Sequence, residues 1–115
     1  MTKIEAYLRP NKLDVIKSAL GKFGIHGMTV LEVIGCGLQN GYTDATDATD
    51  AQQYDINLLP KIKIEVIVAD NIVDEVVQLI ADNARTNNIG DGKIFTYPVG
   101  SAMRIRTGET GDNVI

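Results

Sequence analysis

KIKIEVIVA (Lys61–Ala69) decides the fold. Ile62, Ile64, Val66 and Val68 alternate with Lys61, Lys63, Glu65 and Ile67. Successive side chains of a strand point to opposite faces, so this period of two predicts a strand with one apolar and one mostly charged face. Residues 2–9 repeat the pattern: Ile4, Ala6 and Leu8 point one way, and Lys3, Glu5, Tyr7 and Arg9 the other. Pro10 ends that strand because it has no N–H to give a ladder. On the open face Lys3, Glu5, Tyr7, Lys63, Glu65 and Ile67 form a mixed surface, which is either plain solvent surface, the simpler reading, or an oligomer contact.

Each of these strands has a helix beside it. Leu13, Ile16, Leu20 and Phe23 recur at helical spacing, with Asn11 as the expected N-cap and Gly24 and Gly27 at the exit. Val73, Val76, Val77 and Ile80 make a second stripe, with Asn71 as cap and Asp74 and Glu75 at the positive end of the dipole. Met28–Ile34 is apolar and β-branched, a further strand closed by Gly35-Cys36-Gly37. Asn87-Asn88 ends the second helix, Gly90-Asp91-Gly92 is a turn, and Lys93–Val99 is the fourth strand. Met103–Arg106 reads as a short extended piece. The order strand–helix–strand, strand–helix–strand predicts an α+β, ferredoxin-like βαββαβ sandwich: a four-stranded antiparallel sheet with two helices on one face. Its 115 residues fit a single domain spanning 1–115.

Between the second and third strands lies the perfect micro-repeat Thr43-Asp44-Ala45, Thr46-Asp47-Ala48, Thr49-Asp50-Ala51. It has almost nothing to bury, so residues 38–55 read as a long loop, mobile when free. Leu38–Asp55 contains Asp44, Asp47, Asp50 and Asp55 and no Lys or Arg, and so carries the whole net charge of −4. An acidic chain lacks the clustered cations of a nucleic-acid binder. Nor is there an apolar run long enough to span a bilayer, or an export signal. With the single Cys36, this predicts a cytoplasmic protein.

Catalytic chemistry finds little support. The one histidine, His26, sits in a glycine-rich turn, and neither it nor Cys36 has a local base. The three-residue spacing of Asp44, Asp47 and Asp50 lacks the ligand pattern of a calcium loop. Anion binding is better served. Gly90-Asp91-Gly92-Lys93 can turn backbone N–H groups and an ammonium toward a phosphate. Arg104 and Arg106, two apart in an extended piece, would point the same way and offer two guanidinium forks. On the residues alone, a phosphate site and a wet strand edge both stay open.

Four stretches resemble the PII family of nitrogen-signalling proteins: GIHGMTVLEVIGCG (Gly24–Gly37), LPKIKIEVIV (Leu59–Val68), TNNIGDGKIF (Thr86–Phe95) and RIRTGE (Arg104–Glu109). The resemblance runs from Lys3 to about Glu109 and fails mainly in the loop. It implies a homotrimeric, non-enzymatic regulator that binds ATP or ADP in clefts between subunits, with Mg and 2-oxoglutarate as further effectors. The loop, called the T-loop, would dock on a protein target: a membrane transporter, its ATPase subunit, or an enzyme of nitrogen metabolism. The resemblance implies that Gly90, Asp91, Gly92, Lys93, Arg104 and Arg106 surround the phosphates. Thr29, Gly35, Gly37, Leu38, Gln39 and Glu65 would complete the nucleotide site. Gln39 would also face Mg and 2-oxoglutarate, and Lys61 would pair with a 2-oxoglutarate carboxylate. Asp44, Asp47, Asp50 and Tyr54 would lie on the docking loop.

The chain departs from the family at that loop. Leu38 stands where relatives carry an arginine that reaches the phosphates, and Asn40 replaces a basic residue. The loop is about three residues longer than usual, and it lacks the arginine that relatives insert into an ammonium channel. Tyr54 falls where some relatives are uridylylated, but its neighbours Ala51-Gln52-Gln53 do not match, which argues against that modification. Two alternatives follow: an energy sensor that binds ATP or ADP without 2-oxoglutarate and regulates a non-ammonium transporter, or a ferredoxin-like acyl-phosphate hydrolase. A trimeric metal-tolerance protein of similar fold is disfavoured by the scarcity of His and Cys.

Overall fold

A computed structural model describes residues 1–37 and 57–115. The expected mobile loop at 38–55, with Leu38, Gln39, Asp44, Asp47, Asp50 and Tyr54, lies outside the described residues. The elements are β1 (Thr2–Leu8), α1 (Leu13–Phe23), β2 (Thr29–Gly37), β3 (Asn57–Val68), α2 (Val73–Ala84) and β4 (Lys93–Pro98). The sheet runs β2-β3-β1-β4 with every pair antiparallel. This is the ferredoxin-like arrangement expected from the element order.

The alternation in KIKIEVIVA becomes the core. Ile62, Ile64, Val66 and Val68 are buried, and β1 sets Leu8, Ala6, Ile4 and Thr2 opposite them in register. A one-residue slip would turn this whole set to the other face. Ile16 and Leu20 of α1 and Val76, Ile80 and Ala84 of α2 cover the apolar face. Each of the larger side chains contributes about 1.5–3 kcal/mol by leaving water. Phe23, expected in the α1 stripe, is 38% exposed.

Both expected caps are corrected. A short 3₁₀ turn precedes each helix, Pro10–Lys12 and Asp70–Ile72, so Lys12 and Ile72 occupy the N-cap positions and neither caps with its side chain. Asn11 and Asn71 sit inside those turns instead. At the other end of α1, Gly24 takes φ 108° and its N–H reaches the carbonyls of Leu20 and Gly21, a left-handed cap. Gly35, Cys36 and Gly37 do not close β2; they continue it, paired with Leu59, Leu58 and Asn57.

The open face of the sheet is not plain solvent surface. Glu5 is only 6% exposed. It accepts hydrogen bonds from the hydroxyls of Tyr7 (3.1 Å) and Tyr97 (3.2 Å) and pairs with Lys3 at 3.3 Å. Lys3 also lies 4.7 Å from the centre of the Tyr97 ring. Burial alone would raise the Glu5 pKa, but the Tyr7 hydroxyl, Lys3 and the nearby Lys63 charge together hold the carboxyl below its ordinary value. Among the described residues no helix is long and apolar enough to cross a membrane.

Candidate functional site

Antiparallel pairing brings the ends of β1 and β2 and the starts of β3 and β4 to one end of the sheet. Lys61 stands here on β3, and Gly35 on β2 lies beside it: a Cβ on Gly35 would come 3.2 Å from the Lys61 Cγ. The Gly90-Asp91-Gly92 turn feeds Lys93, first residue of β4, into its pairing with Tyr7.

The turn is fastened by charge. Arg9 donates from Nη2 to the Ile89 carbonyl (2.7 Å), and Lys61 Nζ donates to the Gly90 carbonyl (2.6 Å). In a planar trans peptide the N–H points opposite to the C=O. The amides of Gly90 and Asp91 therefore face away from both cations. Gly92 (φ 100°) completes the turn against β1, where a Cβ would stand 1.7 Å from the Tyr7 carbonyl oxygen. Only glycine fits such a contact.

Asp91 lies at the centre. Its Oδ2 accepts from the backbone N–H of Thr86 (2.7 Å) and of Asn87 (2.9 Å). Its Oδ1 accepts from the Thr86 hydroxyl and from Arg9 Nε at 3.1 Å. The Thr86 hydroxyl above all, then its backbone N–H, holds the carboxyl far below the usual carboxylate range, with Arg9 and Asn87 adding to the effect. Partial burial pushes the Lys61 ammonium below its ordinary value, and the neighbouring Arg9 charge does the same. Two cations thus share one carboxylate. An added anion near Lys61 and Arg9 would relieve that imbalance, and on the side away from those cations the Gly90 and Asp91 amides offer a backbone cradle that suits a phosphate chemically. A cleft of about 270 Å³ adjoins the turn, lined by Tyr7, Asp91, Gly92 and Lys93 and by Ala81, Ala84 and Arg85 at the end of α2.

The remaining expected residues gather elsewhere. Thr29 and Glu65 are cross-strand partners toward the opposite end of β2 and β3. They line a cavity of about 570 Å³ with Met28, His26, Ile67, Val114 and Ile115. The C-terminal segment corrects the extended reading of Met103–Arg106. Met103 bridges Thr110, and Ile105–Thr107 form the turn between them. Gly108 at φ 74° closes it, its N–H bonded to the Arg104 carbonyl. Strand alternation therefore does not orient Arg104 and Arg106. Arg104 pairs with Glu109 (3.1 Å) and donates to the Asn113 carbonyl (3.4 Å). That ties it to the tail lining the cavity of Thr29 and Glu65, not to the Gly90 turn. Cys36 is an exposed free thiol. Among the described residues no group of three His, Cys, Asp or Glu side chains is placed to hold a metal. Gln39, the expected Mg ligand, lies outside them.

Arg9 and Thr86 were not among the expected site residues. Arg9 pairs with a residue 82 positions away, so only the sheet topology brings it to the turn. Thr86 carried a fainter signal, a hydroxyl five residues before an acid in a turn-rich stretch.

The family model "Nitrogen regulatory protein P-II" matches residues 1–109. The chain is 48% identical to a nitrogen regulatory protein P-II of Cereibacter sphaeroides, 46% to one of Haemophilus influenzae, and 48% to the nitrogen regulatory protein P-II 1 of Escherichia coli. Each similarity runs over 115 residues and covers the whole of both chains.

Proposed function

This chain belongs to the nitrogen regulatory protein P-II family, signal-transduction regulators rather than enzymes, and from that membership we propose that it is a homotrimer binding ATP or ADP in clefts between subunits. One observation carries the reading. The candidate residues fall into two groups within a single chain. Gly35, Lys61 and Gly90–Lys93 form one; Thr29 and Glu65, with Arg104 attached through the tail, form the other. Thr29 and Gly35 are six residues apart on β2, about 20 Å at the rise of a strand. A cleft between two copies would let each contribute one group to the same nucleotide. The phosphates would lie on the Gly90–Lys93 turn of one subunit, and Arg104 and Arg106 would come from its neighbour.

In this reading Lys61 would hold a 2-oxoglutarate carboxylate, and Gln39 would face Mg and 2-oxoglutarate. The loop acts in the cytoplasm on a transporter, its ATPase subunit or a nitrogen-metabolism enzyme. Its acids Asp44, Asp47 and Asp50 suit a target with a basic surface, through charge complementarity. A pull-down yield indifferent to changing all three to Asn would count against that. The test of the nucleotide site is calorimetry with ATP and with ADP, in Mg, with and without 2-oxoglutarate. No binding of either nucleotide at millimolar concentration would sink the proposal.

Leu38 favours a second reading. The loss of a charged contact to phosphate costs ~1.5–3 kcal/mol, which removes an advantage of ATP over ADP. Nucleotide binding that ignores 2-oxoglutarate would make the protein an energy sensor, with its partner to be sought outside ammonium transport.

A further inference from the structure

A carboxylate beside an anion-binding turn is electrostatically out of place, because a negative charge there repels phosphate. Asp91 is such a carboxylate, and its bonding explains its presence. Four donors occupy its two oxygens: the amides of Thr86 and Asn87, the Thr86 hydroxyl, and Arg9 Nε. Its lone pairs face inward and its charge is answered by Arg9. It also holds Arg9 in the position from which the guanidinium fixes the Ile89 carbonyl. Through that link Asp91 controls the peptide plane that presents the Gly90 amide.

We infer that Asp91 and Thr86 are positioning residues: they brace the Gly90–Gly92 backbone for its anion and do not themselves touch the ligand. The inference rests on the nucleotide-binding reading of this turn. Its consequence has a definite sign. If Asp91 were a bystander, changing it to Asn would remove a repelling charge and tighten ADP binding. As a brace, Asp91→Asn sets a side-chain NH₂ against N–H donors and loosens Arg9, and ADP binding weakens in spite of the more favourable charge. Thr86→Val keeps the shape but deletes the hydroxyl donor; Thr86→Ser keeps the donor.

The experiment titrates ADP, without Mg, into the full-length assembled protein and its three variants by calorimetry. We expect Asp91→Asn and Thr86→Val each to weaken ADP roughly tenfold or more, as the loss of charge-assisted hydrogen bonds implies. Thr86→Ser should stay within about threefold of the parent, a rescue that mere filling of space would not require. Equal or tighter binding by Asp91→Asn overturns the inference while leaving the nucleotide reading intact. Should Asp91→Asn fail to fold, the Thr86→Val and Thr86→Ser pair decides alone. If the parent binds no ADP, the nucleotide reading falls, and amide hydrogen exchange judges the brace separately. Thr86→Val must then speed exchange at the backbone amides of positions 86 and 87, which donate to Asp91, while the amides of β1 and β3 keep their protection. Unchanged exchange at positions 86 and 87 overturns it.

Discussion

Gly92 gives the sharpest test of how the turn is built. Replacing it with Ala places a Cβ 1.7 Å from the Tyr7 carbonyl oxygen and 2.8 Å from its carbon. Ordinary carbon–oxygen contacts begin near ~3.3 Å, so the turn or the end of β1 must move by about 1.6 Å. Neither group is a flexible side chain, and both belong to the Tyr7–Lys93 step of the β1–β4 ladder. The positive φ of 100° adds about 1–2 kcal/mol for any residue with a Cβ. Strain and lost pairing together predict destabilisation of ~2–4 kcal/mol. Because the turn must lift off β1, anion binding should fall with stability. Urea unfolding and ADP calorimetry on the same samples read both quantities. Gly108→Ala is the control, with positive φ of 74° but nothing within 4 Å of the added carbon, so it should show only the dihedral cost. An unfolding midpoint and ADP affinity of Gly92→Ala equal to those of Gly108→Ala would refute the close-approach reasoning.

Other perturbations follow from the same structure. Gly21 lies in α1 with negative φ and open space around it, so Gly21→Ala should raise stability by ~0.5–1 kcal/mol, read as a higher urea midpoint. Asp91 has a folded pKa below its ordinary 3.8, so the stability it supplies is present above that value and is lost as pH falls through the folded pKa. The urea midpoint of Asp91→Asn should accordingly fall less steeply than that of the parent below pH 4, and parallel curves would contradict this. Lys61 has a lowered pKa, so raising pH strips its charge before an ordinary lysine's, below 10.5. Binding of 2-oxoglutarate with Mg-ATP should weaken as pH climbs toward that value, and Lys61→Met should abolish it at pH 7. Tyr7 and Tyr97 both donate to Glu5 Oε1 while Lys3 faces Oε2, so Glu5→Gln keeps the acceptor for the two hydroxyls but sets an NH₂ against the Lys3 ammonium, and light scattering should detect dissociation of the proposed assembly.

The fold was legible wherever one residue's neighbours along the chain are also its neighbours in structure. Period-two alternation in β1 and β3 named the buried residues Ile4, Ala6, Leu8, Ile62, Ile64, Val66 and Val68 correctly, because strand geometry converts sequence parity into a face. The helices were found from their stripes, but not their starts. Pro10 and Asp70 open 3₁₀ turns that shift the caps past Asn11 and Asn71, a choice of hydrogen-bond pattern with little composition signal. The turn at Ile105–Thr107 is closed by the positive φ of Gly108, which the isolated Arg-x-Arg spacing does not reveal. The Gly90-Asp91-Gly92 turn before Lys93 was readable because turn chemistry is local. Arg9 was not, since an ion pair across 82 residues leaves no periodic trace.

The open face of the sheet connects the fold to the proposed assembly. Along β1 and β3 it carries Lys3 and Lys63 against Glu5 and Glu65, two charges of each sign. Tyr7 and Phe95 meet edge to face at 6.1 Å beside them, and Lys63 lies 5.9 Å from the Tyr7 ring. Covering a face with an unpaired charge is costly, but a balanced and hydrogen-bonded set can be covered without leaving an orphan ion. The Tyr7, Tyr97 and Phe95 rings supply apolar area at small entropic cost, with Phe95 at 43% and Tyr97 at 42% exposure in the single chain. Such a surface is dry enough to associate and polar enough to fix the angle at which copies meet. Each copy must hold that angle for Thr29 and Glu65 of one to reach the Gly90 turn of the next, so the pattern that builds the sheet also sets the geometry of the proposed site.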